Sequence, residues 1–215
     1  MYEVIVFDLD GTLLDTLADL HASVNAALEK FSFPCRTQEE VRAFVGNGIA
    51  LLMKRAIGKE TPVFDEALAA FKTHYGEHCA DKTRPYAGIV PLLEELRARG
   101  IRTAVVSNKA DFAVKKLAEH YFGGLLSAAV GEDEEHGIRK KPAPDSLFAV
   151  LEALGADKSK TAYVGDSEVD IQTAKNAGVD CISVTWGFKD REFLIGHGAS
   201  VLIDSPDEIL KYCKK

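Results

Sequence analysis

The stretch after the first apolar run carries residues that could act directly in catalysis. Asp8 and Asp10 stand two residues apart behind residues 4–7, and Gly11 and Thr12 follow at once. One carboxylate can attack phosphorus as a nucleophile, while a second can protonate a leaving oxygen and later activate water. Asp and Gly are also common turn residues, so this stretch alone fits a catalytic pair and a plain turn about equally.

Polar residues recur after later apolar runs and in a loop between them. Ser107 and Asn108 follow one run, Asp166 and Asp170 follow another, and Lys141 lies in a proline-rich loop. Taken singly, each has a simple structural explanation as a turn, a helix cap, a first-turn carboxylate or a solvated lysine. Because ligands bind at the carboxyl ends of parallel strands, the whole set in this order indicates one functional site.

A cluster of this composition is suited to phosphoryl transfer. Crowded carboxylates repel one another unless a cation lies among them, and Mg²⁺ prefers such oxygen ligands. A serine hydroxyl and a lysine ammonium can hold two oxygens of a phosphate group. Four of the six histidines show no metal-ligand spacing and are expected to be structural or solvated: His21, His74, His78 and His136. Phosphoryl transfer depends mainly on positioning and charge neutralisation, so the cluster predicts Mg²⁺ as cofactor and a small phosphate ester as substrate.

The elements that must position this cluster follow from the periodicity of apolar residues. Residues 4–7 are apolar without interruption and too few for a helix, which is typical of a strand buried on both faces of a parallel sheet. From about residue 16 to residue 80 the spacing is helical, whereas strands and helices alternate from residue 84 onwards. This pattern predicts an α/β fold, a doubly wound parallel-sheet (Rossmann-like) core with an inserted all-helical domain. The predicted domains are residues 1–15 with 83–215 for the core and residues 16–82 for the insert.

Composition and charge limit the classes of partner. The 215 residues are 47% hydrophobic and carry a net charge of −7, with no basic block that would favour nucleic acid. No apolar run approaches membrane-spanning length, and Met1 leads into the first strand without room for a signal peptide. The four cysteines are scattered, as in reduced cytosolic proteins. We therefore expect a cytoplasmic monomer or homodimer that binds neither nucleic acid nor membrane.

Four segments of the chain resemble the motifs of the haloacid dehalogenase superfamily of aspartate-nucleophile phosphatases. These segments are residues 7–16, 106–109, 141–144 and 165–170. They occur in the same order as in the superfamily and extend across essentially the whole chain. The resemblance implies that Asp8 is the nucleophile and a ligand of Mg²⁺. It also implies that Asp10 is the general acid/base and that its backbone carbonyl binds the metal.

The remaining motif residues take their expected roles from the same resemblance. Ser107 and Lys141 would bind the transferring phosphoryl group, and Lys141 would also take part in catalysis. Asp166 would be the third protein ligand of Mg²⁺, and Asp170 would support the site from behind these ligands. The expected substrate contacts of the core are completed by two further motif residues, Thr12 and Asn108.

The inserted helices are similar to the cap of phosphoglycolate phosphatases over residues 45–56. Within that segment Gly46, Asn47 and Gly48 are expected to bind the substrate, because glycines let backbone N–H groups approach a small anion. A plain connection between two helices would explain the same glycines. The resemblance implies a cap that closes over the substrate, and it favours 2-phosphoglycolate as that substrate.

Two alternatives stay open on these residues. Another hydrolase or a phosphomutase of the same superfamily, acting on a pyrophosphate or a sugar phosphate, would share the four motifs. A receiver-type phospho-acceptor module also combines strand-end aspartates with Mg²⁺, but it has no helical insert after its first strand. Dehalogenation is excluded, because within this superfamily an aspartate at the position of Asp10 distinguishes phosphatases and phosphomutases from the true dehalogenases.

Overall fold

The chain folds into two compact units. The computed structural model describes residues 1–133 and 137–214, so His136 lies outside the described residues. None of the described helices is both long and apolar enough to span a membrane. The two units are the core unit, Met1–Leu14 with Pro85–Lys215, and the helical unit, Asp15–Arg84.

The described strands form two sheets. In chain order they are β1 (Val4–Phe7), β2 (Leu14–Asp15), β3 (Arg84–Pro85), β4 (Arg102–Ala110), β5 (Ala128–Glu132), β6 (Thr161–Gly165), β7 (Asp180–Val184) and β8 (Leu202–Ile203). The larger sheet has the order β5-β4-β1-β6-β7-β8 with its neighbouring strands parallel, and β2 pairs with β3. The chain therefore builds the larger sheet outwards from β1 in both directions, as in a doubly wound fold.

Helices alternate with the strands of the core unit and make up most of the helical unit. In chain order they are α1 (Leu17–Lys30), α2 (Gln38–Phe44), α3 (Ile49–Ile57), α4 (Phe64–His78), α5 (Ile89–Ala98), α6 (Asp111–Phe122), α7 (Asp145–Leu154), α8 (Glu168–Ala177) and α9 (Arg191–Gly196). Leu147 of α7 and Ala174 of α8 pack with Val6 of β1 in one buried apolar cluster. The predicted fold, a doubly wound parallel sheet with a helical insert, is confirmed.

β1 lies in the centre of the sheet because its side chains are apolar on both faces. Val4–Phe7 are fully buried. The last residue of the strand, Phe7, pairs with Val105 of β4 and with Val164 of β6. This register brings the next residue, Asp8, to the carboxyl edge of the sheet between two neighbouring strands.

Capping boxes begin some of the described helices. Thr37 and Glu40 form a capping box at the start of α2, with hydrogen bonds of 2.8 Å and 3.2 Å. Ser205 and Glu208 form another at the start of Pro206–Lys211, which is a 3₁₀ helix. These boxes satisfy backbone N–H groups that a helix leaves unpaired at its first turn.

Asp19 ties the beginning of the helical unit to its end. Its buried carboxylate accepts hydrogen bonds from the backbone N–H groups of Lys82 at 2.9 Å and Thr83 at 2.8 Å. A hydrogen bond of 2.9 Å between Ser23 and His74 connects α1 to α4. Hydrogen bonds to a carboxylate are stronger than neutral ones, so Asp19 anchors the two ends of this unit to each other.

Candidate active site

Asp8 stands at the carboxyl edge of the sheet as the first residue after β1. Its backbone N–H donates to the carbonyl of Val164 at 2.8 Å and so continues the pairing with β6 by one residue. The side chain is buried, and its Oδ1 lies 2.8 Å from Nζ of Lys141. The strand pairing therefore sets the position of this carboxylate beside a buried cation.

Lys141 reaches the same place from the loop before α7. Besides Asp8, its Nζ donates to Oδ1 of Asp170 at 2.7 Å and to the hydroxyl of Tyr163 at 3.0 Å. Burial by itself lowers the pKa of Lys141, but the carboxylates of Asp170 and Asp8 together raise it well above its ordinary value. The lysine thus remains a cation although it is removed from solvent.

Three buried carboxylates crowd around this cation. Oxygens of Asp8, Asp166 and Asp170 lie within 4.8 Å of one another. Burial raises the pKa of Asp8 to about 7, against the attraction of Lys141 and with the help of the Asp170 charge. Burial, followed by the charges of Asp170 and Asp8, also raises the pKa of Asp166 well above its ordinary range. One ammonium does not balance three carboxylates, so the cluster favours an additional cation.

The donors of this cluster fit Mg²⁺ or a similar divalent cation, because all of them are oxygens. Asp170 is the least suited of the three carboxylates. Its Oδ1 already accepts from Lys141, and its Oδ2 accepts from the backbone N–H and the hydroxyl of Ser167. Asp8 and Asp166 are therefore the side chains of this cluster that could hold the ion.

Two glycine-containing loops approach Asp166 closely at the end of β6. Its Oδ2 accepts from the backbone N–H of Phe188 at 2.6 Å, and its Oδ1 lies 3.5 Å from the hydroxyl of Thr12, which is fully buried. Gly11 has a φ of +87°, and a Cβ atom at Gly11 or at Gly187 would collide with Asp166. Glycine at both positions is therefore a condition for the placement of this carboxylate.

The end of β4 supplies the buried residues Ser107 and Asn108. Oγ of Ser107 accepts a hydrogen bond from the backbone N–H of Lys109 at 3.3 Å. Oδ1 of Asn108 accepts from the backbone N–H of Lys141 at 2.6 Å, and its Nδ2 donates to the carbonyl of Lys141 at 3.1 Å. Asn108, expected as a substrate contact, thus binds the loop that carries the central lysine.

Asp10 has a lysine partner of its own. Its Oδ2 lies 3.0 Å from Nζ of Lys109, and the side chains of the pair are 15% and 4% exposed. Each of the two aspartates that follow β1 is therefore paired with a different buried lysine, Asp8 with Lys141 and Asp10 with Lys109.

Tyr163 was not identified from the sequence. Its hydroxyl accepts from Nζ of Lys141 at 3.0 Å and lies 3.1 Å from the carbonyl oxygen of Val106 and 3.2 Å from Oδ1 of Asp170. Burial is the main reason that the pKa of Tyr163 is raised well above its ordinary value. The available signal was a tyrosine, with its polar tip, between Ala162 and Val164 in the short run that precedes Asp166.

The remaining residues expected to contact the substrate lie in the helical unit between α2 and α3. Gly46 and Gly48 have φ values of +127° and +84°, in the region that favours glycine. The guanidinium of Arg55 donates to the carbonyl of Phe44 at 2.8 Å and to Oδ1 of Asn47 at 3.0 Å. The shape of this loop is thus set within the helical unit, whereas the other expected site residues belong to the core unit.

Known families and proteins share this architecture. The family described as haloacid dehalogenase-like hydrolase matches residues 5–184. A phosphoglycolate phosphatase of Pseudomonas syringae pv. syringae is 32% identical, over 98% of this chain and 79% of the relative. An N-acetylmuramic acid 6-phosphate phosphatase of Pseudomonas aeruginosa is 31% identical, over 97% of this chain and 93% of the relative.

A solved structure is similar over nearly the whole chain. It comes from Lactobacillus delbrueckii subsp. bulgaricus, was assigned as a phosphoglycolate phosphatase, and is 38% identical with a TM-score of 0.92. The similarity covers 97% of this chain and 96% of the other. Together with the family match, it confirms the resemblance that the four motifs indicated.

Proposed function

Since the chain belongs to the haloacid dehalogenase-like hydrolase family and is a phosphatase, we propose that it hydrolyses small phosphate monoesters with Mg²⁺ through an aspartyl-phosphate. The proposed substrate is 2-phosphoglycolate, which the names of several relatives support. The observation that carries the proposal is the buried Asp8 carboxylate, 2.8 Å from Lys141 and clustered with Asp166.

Asp8 is the proposed nucleophile. Its oxygen forms a bond to phosphorus while the bond between phosphorus and the ester oxygen breaks, which yields an aspartyl-phosphate and an alcohol. Lys141 holds the transferring group by its charge, and Ser107 holds it by its hydroxyl. Water then attacks phosphorus, which releases phosphate and restores the carboxylate of Asp8.

Asp10 is the proposed general acid and base. It gives a proton to the leaving oxygen in the first step and takes one from the attacking water in the second, so that the protons balance over the cycle. The side chains of Asp8 and Asp166 and the backbone carbonyl of Asp10 would hold Mg²⁺. When bound, this ion supplies neutralisation of the charge on the phosphoryl oxygens.

Three buried residues are proposed to position this machinery. Asp170 accepts from the ammonium of Lys141 at 2.7 Å, and Asn108 holds the backbone of the same lysine. Thr12 directs its hydroxyl at Asp166. For Asn108 and Thr12 these contacts favour a supporting role over the direct substrate contact that the family resemblance implied.

The helical unit is proposed to act as the cap, with the domain boundary near residue 15 and near residues 82–83. Gly46, Asn47 and Gly48 would then bind the part of the substrate beyond the phosphate, and the hydrogen bond from Arg55 to Asn47 would keep their loop in shape. Asn47→Ala should raise KM for ester substrates and change kcat little, while the exposed control Gln38→Ala should change neither. A lower kcat at unchanged KM would argue against this role.

A sugar phosphate is the second candidate substrate. The relative named N-acetylmuramic acid 6-phosphate phosphatase is as similar to this chain as the phosphoglycolate phosphatases are, at 31% against 32% identity. The chemistry at phosphorus is the same for both esters, so the choice depends on contacts with the leaving alcohol. A comparison of kcat/KM over both kinds of ester separates the two candidates.

Phosphate release tests the proposal. Wild-type protein is assayed with 2-phosphoglycolate, sugar phosphates and pyrophosphate, with Mg²⁺ and with EDTA in its place. Turnover should require Mg²⁺, and acid-quenched wild type should carry one phosphoryl group by mass spectrometry. Asp8→Asn should abolish both signals, whereas the exposed control Asp65→Asn should retain them. Turnover in EDTA, or turnover by Asp8→Asn, would contradict the proposed mechanism.

A further inference from the structure

Lys109 forms a largely buried ion pair with Asp10. Its Nζ lies 3.0 Å from Oδ2 of Asp10, and its own side chain is only 4% exposed. A lysine is rarely buried to this extent unless it is paired, since removing its charge from water is unfavourable. The usual role of a lysine, to keep the protein surface soluble, therefore does not explain why this cation is buried beside Asp10.

The backbone around Lys109 is built into the sheet edge. Lys109 lies in β4, where the register with β5 shifts between Val106 and Ala110. Its backbone N–H donates to the hydroxyl of Ser107. The strand therefore presents the lysine at the same edge as the proposed phosphate-binding serine, and a strand places a side chain more precisely than a loop does.

The orientation of the Asp10 carboxyl group depends on this contact. Oδ1 of Asp10 is buried and has no hydrogen-bond partner among the described residues, so the contact of Oδ2 with Lys109 is what orients the group. A group that transfers a proton must be held at hydrogen-bond reach of the reacting oxygen. An ion pair on one oxygen restricts the rotation of the carboxyl group and so limits where its other oxygen can lie.

We propose that Lys109 is a positioning residue for Asp10 in the protonation of the leaving group. The proposal rests on the proposed function of Asp10 as general acid. As the bond from Asp8 to phosphorus forms and the ester bond breaks, the proton on Asp10 passes to the ester oxygen, and the electron pair of the broken bond stays on that oxygen. Lys109 touches neither phosphorus nor the leaving oxygen in this scheme and acts through Asp10 alone.

Leaving-group dependence tests this role, because a phenol that is stable as an anion departs without a proton. Lys109→Met and Lys109→Gln are compared with wild type on phenyl phosphate and p-nitrophenyl phosphate. The value of kcat/KM is used, since it reports the steps up to phosphoryl transfer. General acid catalysis contributes about 10²-fold or more, so we expect kcat/KM for phenyl phosphate to fall by about that factor. For p-nitrophenyl phosphate the loss should stay within about five-fold, because this leaving group needs little help from an acid.

Two further variants complete the experiment. Lys109→Arg keeps the charge and should restore part of the loss on phenyl phosphate. Lys115→Met removes an exposed lysine that pairs with Asp111 at 2.6 Å, and it should leave kcat/KM for both substrates unchanged. Thermal unfolding of each variant establishes that it is folded, and Lys109→Gln provides the measurement if Lys109→Met does not fold.

The outcomes separate this inference from the proposed function. Failure of wild type to release phosphate with Mg²⁺ from these two esters and from 2-phosphoglycolate and the sugar phosphates would refute the function itself. If wild type is active, an equal loss on both esters would show that Lys109 binds the phosphate or supports the fold, and this would overturn the inference. Full activity of Lys109→Met and Lys109→Gln on phenyl phosphate would overturn it as well.

Discussion

Asn108 and Lys141, on separate segments of the chain, are joined by two reciprocal hydrogen bonds between the amide of one and the backbone of the other. The bond lengths are 2.6 Å and 3.1 Å, and both residues are buried. The end of β4 thereby holds the loop that carries the central lysine. An amide offers a donor and an acceptor side by side, which is what a backbone N–H and carbonyl of one residue require.

Asn108→Ala should weaken catalysis through Lys141. Loss of two buried hydrogen bonds, at about 1 kcal/mol each, leaves the N–H and carbonyl of Lys141 without these partners and loosens its ammonium. We expect kcat/KM for the best ester to fall by about 10-fold to 100-fold. Asn176→Ala is the matched control, because Asn176 donates to the carbonyl of Pro142 in the same loop from an exposed position. Equal losses in both variants would show that general loosening of the loop is responsible.

Mg²⁺ should stabilise the protein more at higher pH. In the metal-free protein the pKa of Asp8 is raised to about 7, far above its value in an unfolded chain. Between about pH 4 and pH 7 the folded state therefore binds more protons than the unfolded state, and the free energy of unfolding contributed by Asp8 falls as the pH rises. Mg²⁺ competes with these protons for the carboxylates, so its stabilisation grows across the same window.

Thermal unfolding with EDTA and with Mg²⁺, at about pH 5 and about pH 8, measures this effect. At a Mg²⁺ concentration of about 100 Kd, the free energy of unfolding at the higher pH should increase by about 2.7 kcal/mol. The increase should be smaller at the lower pH. Asp8→Asn, which cannot ionise at this position, should reduce the pH dependence. A stabilisation by Mg²⁺ that is equal at both pH values would contradict the assignment of the metal to buried carboxylates.

Tyr163→Phe should reduce turnover moderately and leave the fold intact. The change removes the hydroxyl that accepts from Lys141 at 3.0 Å and leaves the carbonyl of Val106 without this partner. One buried hydrogen bond contributes about 1 kcal/mol, so kcat should fall by roughly five-fold. The free energy of unfolding should fall by about 1 kcal/mol. The control Tyr2→Phe removes an exposed hydrogen bond to Asp180 and should affect neither quantity. Unchanged kcat in Tyr163→Phe would show that Asp170 orients the lysine without help from the tyrosine.

Gly187→Ala should weaken metal binding. A Cβ atom at this position would collide with the side chain of Asp166 and with the backbone carbonyl of Gly11, so the loop or the carboxylate must move. We expect the Mg²⁺ concentration for half-maximal activity to rise by at least about 10-fold, the effect of disturbing a residue that orients a ligand. Gly196→Ala is the control, since a Cβ atom there meets nothing within 4 Å. An unchanged Mg²⁺ requirement in Gly187→Ala would remove Asp166 from the proposed ligands.

Much of the architecture could be predicted from local patterns. The unbroken apolar run at residues 4–7 predicted a central buried strand, and the structure places β1 there with both faces covered. Thr37 and Glu40 have the residue types and the spacing that form a capping box, and the box is present at the start of α2. Such signals are readable because they depend on neighbours in sequence, and because burial imposes a period of two or of 3.6 on the apolar residues.

The contacts within the site were not predictable in the same way. Tyr163 looked like one more residue of an apolar strand, and Asn108 looked like a substrate contact. Their partner is Lys141 in both cases, which lies on a different segment of the chain. The spacing of apolar residues does not predict which side chain of one segment contacts which atom of a distant segment. Such contacts depend on strand register and on the path of each loop.

The sequence by itself determined the fold class, the family and the set of polar residues at the ends of the strands, because these follow from local patterning and motif order. Only the tertiary structure decided how the charges are paired: Asp8 with Lys141, and Asp10 with Lys109. The reason is physical. Charges buried at one sheet edge must find partners within about 3 Å, and the parallel register of β1, β4 and β6 decides which distant segments come within that reach.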